Sequence, residues 1–353
     1  MSKEVSSRVR STESAEPSLG RAADAIPPSG RLLPLTERLL ARLPGRPAVW
    51  IAIWALVPWA NAGANLLFED ARTSAVWEQS EALVILNYAA LSVGVVLALW
   101  GAKRIAHRLE ALRPGAAELF VGDLRERFRE LNSAAGPLVA SALTSVAFGL
   151  SALLSESWAP ALLRGATWFV LGIALWTFLW TYASLQLGLS RLGRARLRPH
   201  TASAELGLQL RPFGGIAFTG LWLLLIWLVP VLLTALEDVV GVMIGVLVLA
   251  GALATFFLSL LRLHRQMVKA KEGELALARD LYAQAYEPVR QEGTLEALER
   301  QRNLLGAADA LEKRARDLHD WPIDEGTFAR VLTITTSVIA MAVARLILDP
   351  LGL

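Results

Sequence analysis

Seven apolar runs, each about twenty residues or longer, constrain this chain more than any other feature. They fall at 47–68, 82–102, 135–155, 161–189, 213–236, 239–261 and 328–348. A helix rises about 1.5 Å per residue and a bilayer core is about 30 Å thick, so each run can cross one. Inside lipid the backbone must bond to itself, which leaves the helix as the form such runs can take. The predicted fold class is therefore all-α, a polytopic membrane protein with seven transmembrane helices and a cytoplasmic helical bundle. A hydrophobic fraction of 54% and a mean hydropathy of +0.44 agree with that reading. The fourth run is long enough to tilt or to continue beyond the bilayer.

Charge sets the expected orientation. Lys and Arg number 8 in residues 1–46, 7 in 102–134, 5 in 189–212 and 11 in 262–328, which is 31 of the chain's 35. The alternate loops carry only Arg72. Positive charge marks the cytoplasmic side, so the N-terminus is expected inside and the C-terminus outside. The outer loops are short and acidic. A pI of about 9.4 follows from this placement, so nucleic acid is not an expected partner; the lipid bilayer of the cell (plasma) membrane is.

Four regions follow in order. Residues 1–30 read as a disordered cytoplasmic tail, rich in Ser, Glu, Arg, Ala and Pro and without apolar periodicity. Residues 31–261 hold spans one to six with interfacial helices. Leu35, Leu39, Leu40 and Leu43 form one face of a short surface helix. Leu119, Phe120, Leu124, Phe128 and Leu131 predict an amphipathic helix between spans two and three. Residues 262–325 form a cytoplasmic helical segment. There the sixth helix is expected to project to about Tyr286 and to break at Glu287-Pro288 and at 292–294. A second helix follows over 295–319, striped by Leu304, Ala308, Leu311, Ala315 and Leu318 at spacings of four and three. The stripe can pack on the extended sixth helix or meet a second copy of the chain. Trp321-Pro322 turns the chain back, and 326–353 is the last span.

That last span, TFARVLTITTSVIAMAVARLILD, gathers Thr333, Thr336, Ser337, Ala340 and Ala344 on one narrow face. Small and hydroxylic residues allow close helix packing in lipid, or line water. Arg345 and Asp349 can pair at the outer end. Elsewhere Asn61, Asn65, Asn87 and Arg164 lie with Arg345 in the outer halves of their spans. Buried amides and cations are costly in lipid, so they face protein or a polar vestibule open to a small ligand. The alternative is that each satisfies neighbouring backbone.

Several chemistries are set aside. The chain has no cysteine; His107, His200, His264 and His319 show no paired metal-ligand spacing, and no P-loop or nucleophile elbow occurs. No cofactor or metal is expected, and an enzyme is the least favoured class. An oligomeric channel or pore leads, followed by a membrane-embedded sensor or scaffold whose cytoplasmic helices dock a partner, then by a small-solute carrier.

Seven spans, an inside N-terminus, short outer loops and a helical cytoplasmic block leading to a polar-faced last helix make a layout that resembles the insect chemoreceptor type of ligand-gated channel. The resemblance is one of topology over the whole chain and of the stretch 258–353; TFARVLTITTSVIAMA lacks the tyrosine of that family's last-helix motif. It implies a homotetrameric, cation-permeable channel. Thr333, Thr336, Ser337 and Met341 would lie near the pore, and Asn61, Asn65, Asn87 and Arg164 near a ligand pocket.

Overall fold

Large apolar side chains point outward and small polar ones inward on the helix Ala135–Ser155, the inverse of a soluble helix. Val139, Leu143, Val146 and Leu150, spaced by four, three and four, are exposed. Ser141 is buried, and Ser145 and Gly149 are half-buried. In lipid no water drives apolar groups inward, so close approach through small residues is what holds helices together.

The computed structural model describes residues 31–68, 81–155, 158–195, 203–235, 239–291 and 295–317, with scattered positions between 321 and 340. The described residues are helical apart from short connections. In chain order the helices are α1 (Leu35–Arg42), α2 (Pro47–Phe68), α3 (Glu81–Ala111), α4 (Arg113–Leu119), α5 (Leu124–Arg127), a 3-10 turn (Arg129–Asn132), α6 (Ala135–Ser155), α7 (Trp158–Leu192), α8 (Ser203–Ala235), α9 (Val239–Gln291) and α10 (Leu295–Arg316). Among the described residues five helices are long and apolar enough to cross a membrane, and α1 with α2, bent by 118°, makes a sixth candidate. Most of the seventh expected span falls outside the described residues.

The expected first span coincides with α2, which continues through Pro58. Helix α7 has 35 residues, about 52 Å at the usual rise, so it outruns a bilayer core as its length predicted. It is the hub of the bundle, packing against α2, α3, α6 and α9. Its indole rings tie it to neighbours. Trp176 Nε1 donates to Thr144 Oγ1 on α6 at 2.8 Å, and Trp180 Nε1 to the Glu130 carbonyl at 2.8 Å. From α2, Trp54 Nε1 reaches the Val170 carbonyl at 2.8 Å.

Two expectations change. Residues 119–131 do not form one amphipathic helix. Gly122, at φ +103°, breaks the run in a conformation that favours glycine. Asp123 then restarts it by accepting from the Arg125 amide at 3.0 Å, an ordinary N-cap bond. Of the two places open to the apolar face of this stretch, the membrane surface or a neighbouring element, the five apolar residues take the second, all buried in the main core. Helix α9 does not break at Pro288 either; it runs 53 residues to Gln291. Proline there removes the bond to the Gln284 carbonyl. Gln284 is exposed, so water can take that bond.

The basic ends of the helices meet at one end of the bundle. Arg108 on α3 donates to Thr219 Oγ1 on α8 at 2.7 Å. Arg191 of α7 grips Glu130 with two bonds, at 2.5 and 2.8 Å. From this end α9 projects onward and α10 folds back along it. Trp321 stacks on His264 at 4.3 Å between ring centroids, returning the chain to the bundle.

Candidate functional site

A row of polar residues lines the seam between α7 and α9. Tyr182, Gln186 and Ser190 recur every four residues on α7, one face of a helix. They oppose Ala252, Thr255, Ser259, Arg262 and Gln266 on α9. The Tyr182 hydroxyl donates to the Ala252 carbonyl at 2.8 Å. Ser259 Oγ lies 2.5 Å from Gln186 Oε1 and 2.8 Å from the Phe256 carbonyl. Arg262 bonds Ser190 Oγ. Gln266 Nε2 donates to the Ala195 carbonyl at 2.8 Å.

This seam is not closed. A groove of about 490 Å³ runs along it, walled by Leu179, Leu224 and Val248, with the polar seam as its floor. Leu187 and Leu258 are exposed at its rim. Below it, meeting it at Arg262, lies a larger recess of about 1000 Å³ lined by Arg194, His264, Arg265, Gln266, Lys269 and Glu272 among others. The helices touch at Gly193, where a Cβ would stand 2.8 Å from the Arg262 carbonyl carbon. Apart from the hydroxyl face of the last span, the polar residues singled out in the sequence lie in the outer halves of the spans, and Tyr182, Gln186 and Ser190 are not among them; their spacing of four within an apolar run was the available signal.

The outer-half residues are distributed differently. Asn61 on α2 is half-buried and its Oδ1 makes no hydrogen bond. Asn87 on α3 is half-buried and adjoins Tyr88, whose ring meets Trp59 of α2 at 5.9 Å. Arg164 is half-buried on α7, beside the close α6–α7 contact at Gly165. Asn65 lies within α2, but its side chain, like Arg345 and Met341 altogether, lies outside the described residues. Neither the groove nor the recess is lined by any of them.

The stripe on the second projecting helix is placed against α9 of its own chain. Ala308 and Ala315 are fully buried, as are Ala278 and Ala285 on α9. The Tyr282 hydroxyl lies 2.5 Å from Asp309 Oδ1 and 2.9 Å from Glu312 Oε2. That register sets Ala285 level with Ala308 and Ala278 level with Ala315, two small-residue layers seven residues apart on each helix. Leu304 and Leu311 are half-buried; Leu318 lies outside the described residues. Leu277, Tyr286, Leu295 and Leu298 on the same hairpin are exposed.

On the last segment Thr333, Thr336 and Ser337 are helical and exposed. Their hydroxyls donate to the carbonyls of Ala329, Leu332 and Thr333 at 2.9, 2.8 and 2.8 Å.

An ionic lock between Arg191 and Glu130 helps to fasten the basic end. The Arg191 hydrogen bonds hold the Glu130 carboxyl at about 2, well below the ordinary carboxylate range, against a smaller opposing effect of burial. Comparison of the chain with known protein families, with curated proteins and with solved structures gave no match.

Proposed function

We propose that this chain is a subunit of an oligomeric channel in the cell membrane, with seven spans, its basic end in the cytoplasm, and its last helix facing the conduction path. The exposed hydroxyl face formed by Thr333, Thr336 and Ser337 carries this reading. A helix face turned to lipid has the composition of α6, whose outward stripe is Val139, Leu143, Val146 and Leu150. Three hydroxyls on an uncovered face suit water or a neighbouring copy better than hydrocarbon. Each hydroxyl proton is held by the carbonyl four residues back, leaving oxygen lone pairs for a passing cation or its hydration shell. Four copies around one axis would bring such faces together, and Met341, four residues after Ser337 in the sequence, is a further candidate. The outer-half residues Asn61, Asn65, Asn87, Arg164 and Arg345 remain the candidates for a ligand vestibule. Thr333→Leu or Ser337→Leu, reconstituted in vesicles, is expected to change ion flux severalfold while the assembly survives. Unchanged flux from a well-assembled variant removes these residues from the path.

A membrane-embedded sensor or scaffold is the second reading, favoured by exposed Leu277, Tyr286, Leu295 and Leu298 on the projecting hairpin. Apolar side chains uncovered outside the bilayer mark a docking surface. Deleting 295–319 is then expected to abolish partner capture without altering flux.

A further inference from the structure

We infer that the groove between α7 and α9, with the basic recess below it, is a binding site for an anionic phospholipid. The two spaces have complementary chemistry and meet at Arg262. The upper one is walled by aliphatic side chains and open past exposed Leu187 and Leu258, as acyl chains entering from the bilayer require. The lower one brings Arg194, Arg262, Arg265, Lys269 and His264 around a single acidic group, Glu272. Such a cluster at a membrane surface attracts a phosphate-bearing headgroup.

The polar floor supplies an independent sign that something is bound. Gln186 is 3% exposed, and its Nε2 has no hydrogen-bond partner among the described residues. Ser259 has one hydroxyl proton and two acceptors in reach, Gln186 Oε1 and the Phe256 carbonyl. If the proton goes to Phe256, the Gln186 amide turns and donates to Ser259, and its oxygen is then left over. In either arrangement one end of a buried amide faces the groove unsatisfied, which is costly. Gln266, 9% exposed, likewise leaves Oε1 unbonded beside the recess. A phospholipid matches this order of groups. Its chains lie along Leu179, Leu224 and Val248, an ester or glycerol oxygen meets Gln186, and its phosphate meets Arg262, Arg265 and Lys269 about one to three turns further along α9. Because α9 continues from this site into the hairpin without a break, an occupied groove would brace the membrane and projecting halves of one helix.

The test offers the full-length protein equal amounts of phosphatidylglycerol and phosphatidylcholine in mixed micelles and counts retained lipids by native mass spectrometry. Phosphatidylglycerol is expected to be retained about 25-fold over phosphatidylcholine, since Arg265 and Lys269 each contribute about fivefold. The double variant Arg265→Gln, Lys269→Gln, both at exposed positions, should lower that ratio below about twofold. Arg300→Gln with Arg302→Gln, two exposed cations on α10, should leave it unchanged. Gln186→Leu should weaken retention of both lipids without changing their ratio. Excess inorganic phosphate should not displace the lipid. Equal retention of the two lipids, a ratio indifferent to Arg265 and Lys269, or displacement by phosphate alone would each overturn the proposal.

Discussion

Helix α7 presents two faces that solve the same problem in opposite ways. Toward α6 it meets Ser141, Ser145 and Gly149 with Gly165 and Gly172. A Cβ on Gly165 would sit 3.3 Å from the Ser145 carbonyl oxygen, and one on Gly172 would sit 3.2 Å from the Ser141 Cα. Both serines are satisfied, Ser141 by the Pro137 carbonyl at 2.7 Å and Ser145 across the interface by the Gly165 carbonyl at 2.7 Å. Toward α9 the same helix carries Tyr182, Gln186 and Ser190, longer or more polar groups that leave a groove and an unsatisfied amide. Small residues close a membrane interface; larger polar ones hold it open and leave it work to do. The first face is a joint and the second has the character of a site.

That contrast predicts a gradient of mutational cost. The largest effect belongs to the joint. Gly165→Leu must force α6 and α7 apart, and overpacking of this kind costs about 2–3 kcal/mol. A fall of several degrees in the melting temperature of the detergent-held protein is expected, and an unchanged melt would show that the joint is not tight. Between the faces lies the Glu130–Arg191 lock. Glu130→Gln should cost about 1 kcal/mol at neutral pH, because the pair is partly open to solvent and screened. The folded chain holds this carboxyl at about 2 against an ordinary 4.5. Its stabilisation is thus complete above about pH 4.5 and lost as pH falls toward 2. The Gln variant should lose that part of the wild type's acid sensitivity; identical acid melts would place the lock's strength elsewhere. The smallest effect belongs to the groove. Gln186→Leu removes a half-satisfied amide and should change stability by less than about 1 kcal/mol in either direction. A loss as large as that of Gly165→Leu would erase the distinction between the two faces.

The same physics explains what could be read from the sequence. Long apolar runs have one structural solution in lipid, so α2 appeared at its full length, and the projection of α9 followed from an uninterrupted charged extension. Local breaks were less legible. Gly122 among the apolar residues of 119–131 cost that stretch its continuity, and Pro288, read as a terminator, is passed because exposed Gln284 can surrender its carbonyl to water. The α7–α9 groove was missed because its residues are unremarkable one at a time. Gln186 and Arg262 acquire meaning only when two distant segments meet. The stripe at Leu304, Ala308, Leu311 and Ala315 was read with two partners open, and its buried alanines lie against α9 of the same chain. Apolar contact with a second copy would therefore draw on exposed Leu277, Leu295 and Leu298.

The claim that several copies surround one path is tested most directly by the mass of the intact complex, measured by native mass spectrometry or by light scattering in nanodiscs. A protomer mass of 38.3 kDa multiplied fourfold is the predicted result, with Thr333, Thr336 and Ser337 then facing a shared axis. A single protomer mass under conditions that preserve the fold would contradict the channel and leave the hydroxyl face of the last helix to serve packing alone.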